Sequence, residues 1–225
     1  HYPGMTEKAI GDIVATAMER LSLLGARVIH RVGRLLPGDR IVLVVVSALS
    51  GVTDRLLGVA ALAGSGDVEG ARTSLQDLRA RHIKVSEVIK DSSLRQPVVD
   101  ALNREFTELE RVVTALAVVQ EVSPRWLDAL AATGEILSSQ IVAAALTSHK
   151  LLATYVDSRK AVVTDGEHTA AAPMFEETTA ALMTHADPPL AAGRIPLMGG
   201  FVGPTTNGVT TTLGRGGSDF SAAIV

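Results

Sequence analysis

The sequence predicts an α/β protein in which helices cover a mainly parallel β-sheet. One observation is the continuous aliphatic run at residues 41–46, which is typical of a central strand buried on both faces. A second is the alternation of helical and strand patterns along the chain. A third is that loops rich in glycine and other small residues follow several strands, the order that builds ligand sites at strand C-termini.

The first elements are a helix, a strand and a second helix. Residues 9–32 have apolar side chains at helical spacing, and Pro37 ends that pattern. The strand at 41–46 leads into a small-residue turn at 47–53, and the pattern predicts a helix over 54–63. This is the strand, loop and helix order expected around a ligand site.

The later elements follow from shorter patterns. Amphipathic spacing predicts helices over residues 71–89, 98–119, from Pro124 to Thr147, and 175–185. Short β-rich runs predict strands over residues 151–156, 161–164, 195–201 and 210–213. Residues 92–97 are expected to separate the two long helices, and Pro188 with Pro189 to break the chain. The pair Asn207-Gly208 predicts a hairpin turn, and a last helix is expected from Phe220.

Composition narrows the class of protein. The chain has 225 residues, 47% of them hydrophobic, a formal net charge of −3 and no cysteine. Disulfides and thiolate catalysis are therefore excluded, and the charge gives no general attraction to nucleic acid or anionic membranes. The apolar run at 41–46 is too short to cross a bilayer, and the histidines lack metal-ligand spacing, so no protein-bound metal is predicted. We expect a soluble, cytoplasmic protein that binds neither nucleic acid nor membrane.

The glycine loop at residues 214–219 is the clearest candidate for anion binding. Glycines let the backbone approach a ligand, and the N–H groups at the following helix start favour phosphate or carboxylate. Arg215 adds a planar guanidinium suited to a carboxylate, and Asp219 is placed to cap the helix or orient a cation. The alternative is a tight strand-to-helix turn in which Ser218 and Asp219 only cap the helix.

Three further segments are expected at the same edge of the sheet. The glycines at 199–203 and the small residues at 47–53 each follow a strand, and Glu135 lies in a Thr-Gly-Glu segment predicted to open or interrupt a helix. Their convergence would give an anion site beside a carboxylate. A guanidinium and a carboxylate together suit an amino acid, whose two ends carry opposite charges.

Four motifs, in order, resemble those of aspartate kinases. They are Val-Val-Ser-Ala-Leu-Ser-Gly-Val-Thr-Asp at 45–54, Ala-Thr-Gly-Glu-Ile-Leu-Ser at 132–138, Gly-Phe-Val-Gly at 200–203, and Thr-Thr-Thr-Leu-Gly-Arg-Gly-Gly-Ser-Asp-Phe-Ser at 210–221. The resemblance covers residues 40–225, and the last motif is highly specific. It implies the amino-acid kinase fold, a three-layer α/β/α sandwich, with this chain as the N-terminal, substrate-binding lobe.

The resemblance also implies an activity. Aspartate kinases transfer the γ-phosphoryl group of ATP, used with Mg²⁺, to the side-chain carboxylate of L-aspartate, giving 4-phospho-L-aspartate on the way to lysine, threonine and methionine. The expected partners are L-aspartate, ATP, and a second copy of the chain or a partner subunit. Another amino-acid kinase, acting on glutamate or N-acetylglutamate, is an alternative enzyme. A truncated or degenerate paralogue that binds an amino acid without catalysis is a third possibility.

The resemblance implies a role for each motif residue. Arg215 would bind a substrate carboxylate, and Glu135 the substrate amino group. Ser47, Thr53 and Ser218 would hydrogen-bond to substrate or phosphate, and Gly200 with Phe201 would shape the aspartate pocket. Gly214, Gly216 and Gly217 would lie against the nucleotide, and Asp219 would orient catalytic lysines.

The chain departs from the family at its start. Residues 17–22 stand where the family has Lys-Phe-Gly-Gly-Thr-Ser, and only Ser22 matches. Lys8 has no glycine loop beside it, and the family's nucleotide-binding half is expected beyond Val225. We therefore divide the chain into an atypical helical segment, 1–39, and an amino-acid-binding lobe, 40–225, and predict little or no kinase activity from this chain alone. Within residues 21–30, Leu21-Ser22, Gly25-Ala26 and His30 resemble a segment that in the family follows the nucleotide-binding half. A rearranged, misassembled or engineered N-terminus would explain this order, and so would chance.

Overall fold

A computed structural model describes residues 26–30, 42–214 and 216–225 of the chain. The described strands are β1 (Ala26–His30), β2 (Val42–Val46), β3 (Ala153–Tyr155), β4 (Ile195–Gly199), β5 (Val202–Pro204) and β6 (Thr210–Thr212). The described helices are α1 (Val52–Gly64), α2 (Val68–Ser86), α3 (Ser92–Val119), α4 (Pro124–Ser148), α5 (Phe175–His185), α6 (Asp187–Ala191) and α7 (Gly217–Ile224), with a 3₁₀ turn at Ser158–Lys160.

The main sheet has four strands in the order β1-β2-β4-β3. β2 and β3 both run parallel to the central strand β4, with Val46 opposite Gly199 and Tyr155 opposite Leu197. β1 is antiparallel to β2 at the other edge. β5 and β6 form a separate antiparallel hairpin. The C-terminal ends of β2, β3 and β4 therefore lie at one edge, where parallel sheets carry their ligand sites.

Helices or loops cover both faces of this sheet. Val44 and Leu197 point into a large apolar core formed with α1, α2, α3 and α4. Their neighbours Val45 and Met198 point the other way, into a smaller core that includes Ala222 of α7. Alternation of successive side chains between two buried faces explains why the strand sequences are continuously apolar. The predicted three-layer arrangement with a mainly parallel sheet is confirmed.

Helix α4 lies at the centre of the protein. It begins at Pro124, which suits the first helical turn because its missing N–H has no intrahelical partner there. A side chain at Gly134 would place its Cβ 3.0 Å from the Cβ of Ala48 and 3.3 Å from Val52, so glycine allows α4 to approach α1 closely. By length and composition α4 resembles a membrane span, but 83% of its most apolar window is buried inside the protein, as in the central helix of a folded domain.

Several predicted elements are confirmed, and α5 has the predicted bounds. Residues 26–30 were predicted to be helical, and this is wrong, because they pair with β2 as a strand. The rest of the predicted helix at 9–32 lies outside the described residues. The predicted strand at 161–164 is absent, since Thr164 makes only isolated bridges, to Pro173 and Thr205.

Proline misled the sequence analysis at two places. Residues 92–97 do not separate two helices, because α3 already begins at Ser92, where Asp91 accepts the N–H of Ser93, and it runs on through Pro97. Pro188 and Pro189 lie inside α6, in its first turn, where proline costs little.

Candidate active site

The site begins where β2 and β4 end side by side. Val46 is opposite Gly199, and the N–H of Gly200 donates to the carbonyl of Val46 over 2.8 Å. The chain therefore leaves both strands at the same edge, towards Ser47 on one side and Phe201 on the other. The prediction that these two motifs converge is matched by this geometry.

Glu135 is buried directly behind this edge. The residue is only 3% exposed. It lies in the middle of α4, not at the helix start or interruption that was predicted. A Cβ on Gly199 would lie 2.8 Å from the Cβ of Glu135 and 3.0 Å from its carbonyl oxygen. Because real Cβ atoms do not approach so closely, glycine at position 199 is what lets α4 bring Glu135 to the strand end.

The carboxyl group of Glu135 is only partly satisfied. Its Oε2 atom is buried without a hydrogen-bond partner among the described residues. Burial raises the pKa of Glu135 from its ordinary value of 4.5 to about 8, and hydrogen bonds from its own backbone and from Ala48 only partly oppose that rise. A buried carboxyl group without a full set of partners is neutral at pH 7, and it becomes ionised readily only when a cation approaches it.

Two serines join the strand end to α7. The hydroxyl groups of Ser47 and Ser218 are 3.4 Å apart, a long hydrogen bond across 171 residues of sequence. Ser138, one turn after Glu135 on α4, donates to the carbonyl of Ser47 over 2.7 Å. A Cβ on Gly200 would meet Ser218 at 2.6 Å, so glycine is needed for this contact. Ser47, Glu135, Gly200 and Ser218 therefore share one small region.

Phe201 adopts a strained backbone conformation beside these residues. Its φ is +65°, which side-chain-bearing residues rarely adopt. Its N–H donates to Oγ of Ser221 over 2.8 Å, and that buried hydroxyl donates in turn to the carbonyl of Gly217. Gly217 packs on Phe201, since a Cβ there would lie 2.8 Å from the ring. Strain held by several contacts is typical of functional sites.

The glycine loop lies next to this region. Gly214 and Gly216 have φ values of +73° and +78°, and Gly216 caps the start of α7. Asp219 is exposed in the first turn of α7, and Thr53 is half-buried in the first turn of α1. Arg215 lies outside the described residues. The roles predicted for Thr53, Arg215 and Asp219 stay predictions.

Asp128 is a buried acid that the sequence analysis missed. It is 1% exposed near the start of α4, and its carboxylate accepts from the backbone N–H of Thr169 and from Oγ1 of Thr212. Nδ1 of His168 lies 2.7 Å from the same carboxylate. A single acidic residue within a helical pattern carries no signal for partners that lie 40 and 84 residues away.

Arg159 pairs with Asp157, two residues before it in the chain. Its guanidinium contacts Asp157 at 2.8 Å and also Glu105 of α3 at 3.0 Å. Arg159 is thus held by two acids, and it borders a cavity of about 170 Å³ between α3 and α4.

Comparison with known proteins gives two relationships of different extent. The sequence model described as the Amino acid kinase family matches residues 11–225. The aspartokinase of Chlamydia trachomatis is 32% identical over 203 residues, which is 89% of this chain and 42% of that protein. The structure of E. coli aspartokinase III in complex with aspartate and ADP superposes with a TM-score of 0.74 at 26% identity, covering 95% of this chain and 44% of that one.

The second relationship covers a short stretch. A segment of 48 residues is 62% identical to the molybdopterin synthase catalytic subunit of Ralstonia nicotianae, which is 21% of this chain and 27% of that protein. The sequence analysis did not find this similarity. The chain spans less than half the length of the two aspartokinases, and the 48-residue segment spans about a quarter of the molybdopterin synthase subunit.

Proposed function

Since the chain belongs to the amino acid kinase family, we propose that it is the aspartate-binding part of an aspartate kinase, which phosphorylates the side-chain carboxylate of L-aspartate to give 4-phospho-L-aspartate. The observation that carries the proposal is the buried carboxyl group of Glu135, whose Oε2 has no partner among the described residues. Such a group calls for a cationic partner, and the ammonium group of an amino acid supplies one.

The surrounding residues suit the rest of the ligand. Ser47 and Ser218 present hydroxyl groups from the strand end and from α7, and the first turn of α7 presents backbone N–H groups. These donors would hold carboxylate oxygens, and we assign the other substrate carboxylate to Arg215. Gly200 and Phe201 would form the wall of the pocket, and Thr53 would donate to substrate or phosphate.

We propose that ATP binds on the glycine side of the site. Gly216 has open space where a side chain would stand, so phosphate oxygens would reach its backbone. Gly214 and Gly217 pack on Thr169 and Phe201 and would shape the loop around the phosphates, and Asp219 would orient the lysines that neutralise them. In the part of the chain that is described, no group of three acidic or histidine side chains could hold a metal ion by itself. Mg²⁺ would therefore arrive with the phosphates of ATP and neutralise their charge, while these residues position the reacting groups.

The wider role follows from the family. We propose a cytoplasmic enzyme of lysine, threonine and methionine biosynthesis that works as a homo-oligomer or with a partner subunit. The aspartokinase matches at 26% and 32% identity favour aspartate over glutamate or N-acetylglutamate as the substrate.

We also propose that residues 1–39 are not part of the amino-acid-binding lobe at 40–225. The aspartate kinase motifs begin after residue 40, and among the described strands of the main sheet only β1 pairs antiparallel. The family model nevertheless extends to residue 11. A chain that begins at residue 40 tests the division: it should fold and bind aspartate as the 225-residue chain does, and loss of either property would show that residues 1–39 belong to the lobe.

Calorimetric titration of the 225-residue chain with L-aspartate, L-glutamate and N-acetyl-L-glutamate tests the main proposal. Aspartate should bind, glutamate more weakly, and N-acetylglutamate not at all, because it lacks the ammonium group. Glu135→Gln should abolish binding, whereas Glu177→Gln, on the exposed face of α5, should leave it unchanged. Equal binding of aspartate by both variants would overturn the assignment of Glu135.

A coupled ADP-release assay distinguishes the enzyme from a binding protein. Turnover with aspartate and ATP supports the kinase. Aspartate binding without turnover favours the paralogue that binds an amino acid without catalysis, or a requirement for further parts of the enzyme. Adding a purified intact aspartate kinase subunit separates these two, because only the second case predicts that activity per intact subunit rises.

A further inference from the structure

We propose that Asp128 is the positioning residue of the glycine loop: it holds Thr169 and Thr212 in the arrangement that places Gly214. The inference rests on the proposed function, because Arg215 of the same loop is taken to bind a substrate carboxylate. Asp128 itself does not touch the substrate in this proposal.

The first step is the set of bonds that Asp128 makes. Its two carboxylate oxygens accept the backbone N–H of Thr169 at 3.1 and 3.0 Å, and Oδ1 also accepts the hydroxyl of Thr212 at 2.5 Å. His168 adds its ring nitrogen at 2.7 Å. The acid is 1% exposed, so these bonds form in a dry environment where charge-assisted hydrogen bonds are strong.

The second step is the strain at Thr169. Its φ is +71°, a conformation that favours glycine and is particularly costly for a β-branched side chain. Thr169 is exposed, so packing of its own side chain does not force this conformation. The carboxylate of Asp128 accepts the N–H of this same residue and is therefore the contact that compensates for the strain.

The third step leads from Thr169 to the glycine loop. A Cβ on Gly214 would lie 3.1 Å from the carbonyl oxygen of Thr169 and 3.5 Å from Cα of Ala170, so the loop packs on this segment. The N–H of Ala171 donates to the carbonyl of Thr212 over 2.9 Å, two residues before Gly214. Asp128 therefore holds both sides of the contact on which the loop rests.

Glycine substitution at position 169 gives a specific test. Asp128→Asn keeps the shape of the side chain but turns one acceptor into a donor that faces Thr169 or Thr212. We expect aspartate to bind roughly tenfold more weakly. Thr169→Gly adopts φ of +71° without strain, so the double variant Asp128→Asn/Thr169→Gly should regain most of the lost affinity. Because glycine at a left-handed position also relieves strain in the whole chain, Thr169→Gly alone is measured beside the double variant, and its affinity for aspartate should equal that of the unmodified chain.

The matched control is Asp165→Asn. Asp165 lies in the same loop and accepts the N–H groups of Glu167 and Ala172, but it makes no described bond to β6 or to the glycine loop. Its affinity for aspartate should equal that of the unmodified chain. If Asp128→Asn does not fold, Thr212→Val removes one donor from the same carboxylate at similar volume and should weaken binding as well.

Hydrogen exchange separates this inference from the proposed function. Without ligand, the amide of Gly217, which donates to Gly214 over 3.0 Å, should exchange faster in Asp128→Asn and return towards its original rate in the double variant. If the unmodified chain does not bind aspartate, the proposed function fails. The exchange rates then decide by themselves whether Asp128 holds the glycine loop. Unchanged exchange at Gly217 in Asp128→Asn, or weakened binding that Thr169→Gly does not restore, would overturn the role of Asp128.

Discussion

Replacing Glu135 by glutamine should change how the stability of the chain depends on pH. The folded state holds this carboxyl group with a pKa of about 8, against 4.5 when it is exposed. Between these values the folded chain binds one more proton than the unfolded chain, so the free energy of unfolding falls as the pH rises. Over the whole range between the two pKa values, the free energy of unfolding falls by roughly 5 kcal/mol. Roughly 3 kcal/mol of this is already lost at pH 7. This is a large share of the stability of a typical domain.

Glutamine at position 135 removes this titration. The amide stays neutral, so its cost in the buried site is the same at every pH. We expect the variant to gain stability relative to the unmodified chain as the pH rises from 5 to about 8.5, with no further gain above the pKa of Glu135. Urea unfolding without ligand, at a series of pH values in this range, measures the difference. Glu177→Gln, at an exposed position on α5, should run parallel to the unmodified chain.

The test is whether the difference in unfolding free energy between Glu135→Gln and the unmodified chain changes with pH. If the curves for Glu135→Gln and the unmodified chain are parallel from pH 5 to 8.5, the carboxyl group is already ionised in the folded state. The argument that it awaits a cation would then be refuted. A constant offset between the curves is no contradiction, because an amide and a carboxylic acid differ in their fit to the site.

Three further predictions follow from the same region. If aspartate brings its ammonium group to Glu135, binding at pH 6.5 should release about one proton, so the heat of titration should differ between Tris and phosphate buffers; equal heats would contradict this. Gly199→Ala should weaken aspartate binding and cost about 1–3 kcal/mol in urea unfolding, because its Cβ would lie 2.8 Å from that of Glu135, and an unperturbed variant would show that the contact can relax. Ser221→Ala should destabilise the chain by roughly 1–3 kcal/mol in the same assay, because it leaves the strained Phe201 N–H without its acceptor. Ser92→Ala serves as the control, because Ser92 is exposed and its hydroxyl makes no described hydrogen bond.

Local patterns predicted those features that depend on local sequence. The aliphatic run at 41–46 predicted a central strand because burial on both faces requires apolar residues at every position. The convergence of Ser47 and Gly200 followed from the rule that parallel strands end at one edge. The amphipathic pattern of residues 175–185 gave α5 because its boundaries depend on nearby residues.

Features that depend on distant contacts were not predictable. Residues 26–30 have helical spacing of apolar side chains but form a strand, because β2 offers a free edge that the sequence does not reveal. The segment Thr-Gly-Glu at 133–135 was predicted to open or interrupt a helix, although helical spacing ran on to Thr147. Helix α4 continues through it, because Gly134 provides close packing on Ala48 rather than a turn. Asp128 carried no signal because its partners lie on other elements.

Glu135 links the packing of the fold to its function. Gly134 and Gly199 have no side chain, so α4 can approach both α1 and the end of β4. The cost is that glycine restricts the unfolded backbone less than other residues do. The outcome of this close packing is a buried carboxyl group whose Oε2 has no partner among the described residues. An apolar residue at position 135 would fill the same space without that penalty. Such a penalty at the end of the central strands supports the proposal that a ligand binds there, because an arriving cation or hydrogen-bond donor would offset the cost.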